Sequence, residues 1–222
     1  MQDELTLEEI DRDGAVAEAG AGLKDTTRRG VLRRLGLVAG GGLVAGAVPI
    51  GLAVGQGGGS AKGDIKILNF ALTLEYLEGA FYAEALSKGK LTGSVQKFAS
   101  VVAAHEATHV AALEKALGSK AVKKPSFDFK GTTSNQKKFL STSKLLEDTG
   151  VSAYQGQAPN IKSPALLATA GSILAVEARH AAWVRDLIGA GKELKPAPDP
   201  FNPALSMSAV LSAVKSTGFI KS

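Results

Sequence analysis

The 222-residue sequence contains no cysteine. That excludes a disulfide framework, a thiolate metal site and a cysteine nucleophile, and it leaves stability to packing. No basic block is interleaved with aromatic residues. Of the 20 Lys and Arg in residues 61–222, 18 are lysines, and they are scattered. A solvated lysine-rich surface follows, and no nucleic-acid partner is expected. Sustained period-two alternation is also absent from residues 61–222, where "FDF" at 127–129 is too short to count. That argues against a sheet.

The net charge of +5 is unevenly distributed. Residues 1–25 carry eight acids against Arg12 and Lys24, whereas residues 61–222 carry a net +7. Between them lies a twin arginine, Arg28-Arg29, followed by an uncharged apolar stretch from Leu35 to Val54. Six glycines dilute that stretch, which makes it a weak membrane span. It resembles a twin-arginine export signal, and that route carries proteins folded before export, often already loaded with a cofactor. No clean A-x-A cleavage site is visible, so residues 1–55 are read as a signal or an N-terminal tether. The expected location is periplasmic, extracellular or tethered on the outer side of a membrane. "QGGGSAKG" then provides a flexible linker over 56–63.

Beyond it the sequence reads as all-α. Helical periodicity places four helices near Asp64–Lys88, Ser94–Leu117, Ser134–Tyr154 and Pro164–Ile188. Gly89 and Gly118 stop the first two, and Ser163-Pro164 starts the fourth. Asn202-Pro203 repeats that start signal before a short apolar segment, Ala204–Val214, expected as a fifth helix packed on the outside. The domain therefore occupies 64–190, with a C-terminal extension over 191–222. Short connections join helices one to two and three to four. About sixteen residues, Gly118 to Thr133, separate helices two and three. Extended, that segment reaches ~50 Å, against ~38 Å for a 25-residue helix. Two hairpins joined by a long crossover form an antiparallel four-helix bundle.

Two of these helices carry polar residues in an apolar seam. The second runs Val95, Ala99, Val102, Glu106, His109, Leu113, Ala116; the fourth runs Leu166, Ala170, Ile173, Glu177, His180, Val184, Leu187. An unpaired carboxylate in such a core costs several kcal/mol, so something must compensate. The other two helices match each other differently. "LEYLEGAFY" puts Glu75 seven residues before Tyr82, and "LEDTGVSAY" puts Glu147 seven before Tyr154. Each Glu then shares a helix face with its Tyr. Glu75 to Glu147 is 72 residues and Glu106 to Glu177 is 71, which indicates an internal duplication. Folded with two-fold symmetry, it brings four Glu and two His to one central point. Two divalent cations balance that charge; carboxylate and imidazole suit iron or manganese, and zinc less well.

The stretch "HEATH", 105–109, also spells the H-E-x-x-H pattern of zinc proteases. An extended protease motif requires glycine at position 112 and histidine at position 115, where the chain has Ala112 and Lys115. In "VEARH", 176–180, Val176 replaces His105 while the Glu and the second His recur. His105 is therefore read as a flanking or outer residue rather than a ligand.

With these residues the chain resembles the ferritin-like superfamily of bacterioferritins, rubrerythrins and relatives, over about 64–188. The export signal, the length and "EARHAAW" further resemble secreted ferritin-like proteins that include desiccation-related proteins. The resemblance implies that Glu106 and Glu177 bridge two metals, with Glu75 and Glu147 as terminal ligands and His109 and His180 one per metal. It places Tyr82 and Tyr154 nearby, as hydrogen-bond partners or redox relays. Glu78 rivals Glu75, although its counterpart is Gly150. Asp186 can pair with a Lys or Arg or hold a ligating His. Glu84, Glu114, Asp148, Arg179 and Arg185 are expected at the surface. The expected chemistry uses O2 or peroxide, or scavenges metal; the alternative is a non-enzymatic structural or desiccation-protection protein. Length and the export signal argue against a cage-forming iron store, and the bundle offers no Met for haem. A membrane tether through residues 31–54 and a homodimer stay open.

Overall fold

The computed structural model describes residues 62–189 and 195–221. The segment read as a signal or tether and nearly all of the expected linker lie outside these. The described residues form α1 (Lys62–Ser87), α2 (Gly93–Leu117), α3 (Gln136–Gln157), α4 (Pro164–Gly189) and α5 (Met207–Thr217). α1 begins at Lys62, so the last two residues assigned to the linker are helical. The described residues contain no strand, only an isolated antiparallel bridge between Phe127 and Ile220.

Local chemistry sets the helix ends. α2 stops at Gly118, whose φ of 55° suits a residue without a Cβ and whose N–H reaches the Glu114 carbonyl. The third helix starts at Gln136 rather than Ser134. Asn135 is its cap, accepting from the Lys138 N–H at 3.0 Å, while Ser134 closes a short 3-10 turn. α4 is anchored from outside: Asp64, 1% exposed, accepts from the backbone N–H groups of Lys162 and Ser163 at 2.9 Å each.

The crossover runs the height of the bundle. At its start the Asn69 amide donates to the Lys120 carbonyl and accepts from the Val122 N–H. At its end the Thr133 hydroxyl meets Glu84 and Lys88. Asn69 and Glu84 are 15 residues apart on α1, or ~22 Å. The crossover therefore delivers α3 to the end where α1 finished, and α3 runs antiparallel to α1.

The fifth helix starts at Met207, three residues later than the sequence suggests, because Ser206 caps it through the Ala209 N–H. It also packs inward: Val210 and Val214 are buried and join the core with Phe219. The segment before it lies directly on α3, where the Leu205 N–H donates to the Ser152 carbonyl at 3.1 Å. A Cβ on Gly156 would stand 1.9 Å from the Leu205 carbonyl oxygen, so this approach requires glycine.

The core has an aromatic part and an aliphatic part. Phe81, Phe98 and Phe139 pack around Tyr82 in one. Ile67, Leu113, Ile161, Leu166 and Ile173 fill the other. The polar residues of the α2 and α4 seams interrupt the apolar packing between them.

Candidate metal centre

Each seam turns inward as the heptads require. On α2 the seam residues from Val95 to Leu113 are buried, and on α4 the seam residues from Leu166 to Val184. Glu106 and Glu177 are carried in with their apolar neighbours. Glu75 on α1 and Glu147 on α3 complete the layer, and all four carboxylates have 0% exposure. His109 and His180 enter beside them, at 8% and 2%.

The six side chains form two overlapping groups. Glu75, Glu106, His109 and Glu177 make one; Glu106, Glu147, Glu177 and His180 make the other. Within each group the donor atoms lie within 4.8 Å of one another. Glu106 and Glu177 belong to both. Glu177 faces His109 Nδ1 with Oε1 at 3.0 Å and His180 Nδ1 with Oε2 at 3.7 Å. His180 Nδ1 also lies 3.2 Å from both Glu106 Oε1 and Glu147 Oε2.

Apart from a 3.2 Å hydrogen bond between His109 Nδ1 and Glu75 Oε2, these atoms are close without satisfying one another. Both oxygens of Glu106 and of Glu177, Oε2 of Glu147 and Nδ1 of His180 are buried without a hydrogen-bond partner. Buried polar atoms are normally satisfied. Here the lone pairs converge on shared space, and no Lys or Arg pairs with the layer among the described residues. The all-oxygen and imidazole donor set fits hard or borderline divalent metals.

Proton affinities reflect the crowding. Burial, then the charges of Glu177 and Glu106, raises Glu75 well above the ordinary range. Burial, then the nearby carboxylates, pushes Glu147 up to about 8 against the pull of His180. Burial opposes charge on the histidines as well. The close approach of the surrounding carboxylates outweighs it, so His109 and His180 are both pushed up to about 12. For Glu106, burial is outweighed by His109 and His180, and its pKa falls to about 2.

The two tyrosines are cross-paired. Tyr154 donates to Glu75 Oε1 at 2.5 Å, and Tyr82 donates to Glu147 Oε1. Each Tyr does share a helix face with its own Glu, but lies ~10 Å from it along the axis. The antiparallel partner helix presents the other half's Glu instead. Burial, then the neighbouring carboxylate, raises both phenols well above 10, so they stay protonated and act as donors.

His105 is exposed, and its Nδ1 lies 2.8 Å from His180 Nε2. It touches the layer only through another histidine, unlike a protease ligand. Glu78 is buried at 3% exposure and lies outside both four-donor groups. Asp186 is exposed and neither pairs nor orients a histidine among the described residues. Asp148, by contrast, is held by Arg185 at 2.5 Å and Lys144 at 3.1 Å.

A profile of the ferritin-like domain matches residues 63–190. The chain belongs to the ferritin-like domain family. That range takes in α1 to α4 and every residue of the buried layer. No curated protein matches the chain.

Proposed function

We propose that this ferritin-like protein holds two metal ions, iron or manganese, at the centre of its bundle. The observation that carries the reading is the pair of four-donor groups sharing Glu106 and Glu177, whose oxygens have no other partner. Glu106 and Glu177 would bridge. Glu75 and His109 would complete one position, Glu147 and His180 the other. Bound metals would supply redox chemistry with O2 or peroxide, or the site would scavenge metal.

The protein's own groups prepare that site. Tyr82 and Tyr154 each hold one oxygen of a terminal carboxylate, which turns the other oxygen to the centre. The same hydrogen bonds give each phenol a proton acceptor, as a redox relay needs. The apolar clusters on either side exclude water and strengthen every charge interaction in the layer. Export through the twin-arginine route, with Arg28-Arg29 as its signal, belongs to the same proposal.

Anaerobic Fe(II) loading followed by elemental analysis tests the reading. The expected result is two metals per chain and a raised melting temperature. Fewer than one per chain with unchanged melting would overturn it. Fe(II) oxidation or peroxide turnover above that of free metal then decides the chemistry. Bound metal without turnover would favour the structural, stress-protective role.

A further inference from the structure

The internal duplication is broken at two positions beside the centre. Glu78 on α1 corresponds to Gly150 on α3, and His105 on α2 corresponds to Val176 on α4. Both departures fall on the same side. His180 turns Nδ1 to the carboxylates and Nε2 outward, where it meets His105 Nδ1 at 2.8 Å with ring centroids 5.1 Å apart and ring planes within 16° of each other. His109 turns Nδ1 inward in the same way, but its Nε2 has no hydrogen-bond partner among the described residues, because Val176 stands where a second His105 would be.

Glu78 points to the same half. A Cβ on Gly150 would stand 3.3 Å from Glu78 Oε1 and 3.6 Å from Glu177 Oε2. Glu177 Oε2 is the oxygen that faces His180, whereas Oε1 faces His109. Gly150 leaves the space that the Glu78 carboxylate fills. That carboxylate has no hydrogen-bond donor and no cation among its protein neighbours in the described residues.

We infer that the two metal positions are chemically unequal, with His105 as a positioning residue for the position built on Glu147 and His180 and Glu78 as an extra carboxylate charge beside it. The inference rests on the di-metal reading above. When His180 ligates through Nδ1, its hydrogen sits on Nε2 and is donated to His105 Nδ1. That bond fixes both the tautomer and the ring plane, the usual work of an outer partner at a metal-bound histidine. The His109 position has neither device, so it binds metal more weakly and exchanges it sooner.

Anaerobic Co(II) titration of the full chain, followed in the visible d–d bands, separates the alternatives. The expected result is two Co(II) per chain, bound in resolved steps with different spectra. His105→Ala lowers the affinity of the tighter position by about 10- to 100-fold. His105→Gln, whose amide oxygen can accept from Nε2–H, restores most of it. In a His180→Ala background His105→Ala has no further effect; in a His109→Ala background it weakens the remaining position. Glu78→Gln shifts the d–d band of that same position and spares the other. Two Co(II) bound alike, with His105→Ala and Glu78→Gln both silent, would overturn the inference and leave the di-metal reading standing. No Co(II) bound by the unaltered chain would overturn both.

Discussion

Tyr82→Phe offers a sharp test of how the layer is held. The ring of Tyr82 is fully buried, with edge contacts to Phe81, Phe98 and Phe139 at 5.4, 5.8 and 5.7 Å. Phenylalanine keeps that packing and deletes only the hydroxyl that donates to Glu147 Oε1. In chelator-treated protein at pH 7, Glu147 largely holds a proton, because burial and its neighbours push its pKa up to about 8. The bond lost is then neutral and costs about 0.5–1.5 kcal/mol. With metal bound, Glu147 is ionised and the bond is charge-assisted, costing about 1.5–3 kcal/mol. At roughly 2–4 °C per kcal/mol for a domain of this size, melting by circular dichroism should drop by about 1–6 °C without metal and about 3–12 °C with it. The difference, about 1 kcal/mol, should reappear as an approximately fivefold weaker metal Kd. Tyr154→Phe should behave alike through Glu75. Equal losses with and without metal would refute the argument, because Glu147 would then not change charge on loading.

Three other outcomes follow from the same structure. Chelator-treated protein should lose stability between pH 6 and pH 9. Glu147 is raised to about 8 from 4.5, and the two histidines to about 12 from 6.5. Their contributions are complete below the lower values and fade as pH rises through the upper ones. Mn(II) affinity should rise over the same range as those protons are displaced; melts at three pH values, with and without Mn(II), measure both. Gly156→Ala drives a Cβ into the Leu205 carbonyl and should destabilise the fold by about 1–3 kcal/mol, seen as a shifted urea midpoint, while metal stoichiometry stays unchanged. Replacing Arg28 and Arg29 together by lysine should retain the protein in the cytoplasm, as cell fractionation would show.

Much of this was legible in the sequence because a bundle repeats on a short period. The heptad seams of α2 and α4 name their buried residues, and the 71- and 72-residue offsets pair Glu106 with Glu177 and Glu75 with Glu147. What escaped depended on contacts between elements. The cross-pairing of the tyrosines follows from the opposite directions of α1 and α3, which no single helix encodes. Asp64 looks like an ordinary acid in a first turn, yet it reaches across to cap the entry to α4. The Ala204–Val214 segment reads as a helix packed on the outside, and only the Leu205 contact on α3 shows how Val210 and Val214 are drawn into the core. His105 reads as a flanking or outer residue, but that it meets His180 across from α2 to α4, where Asp186 does not, is again a contact between elements.

The crossed tyrosine bonds make each half of the chain the custodian of the other half's carboxylate. A polypeptide of half this length, carrying one Glu-x6-Tyr helix and one Glu-x-x-His helix, would have a hydroxyl without its acid and an acid without its hydroxyl. It could complete its layer only by meeting a second copy of itself. Joined in one chain, the halves no longer have to be identical, and one of them can acquire a histidine or a carboxylate that its twin does without.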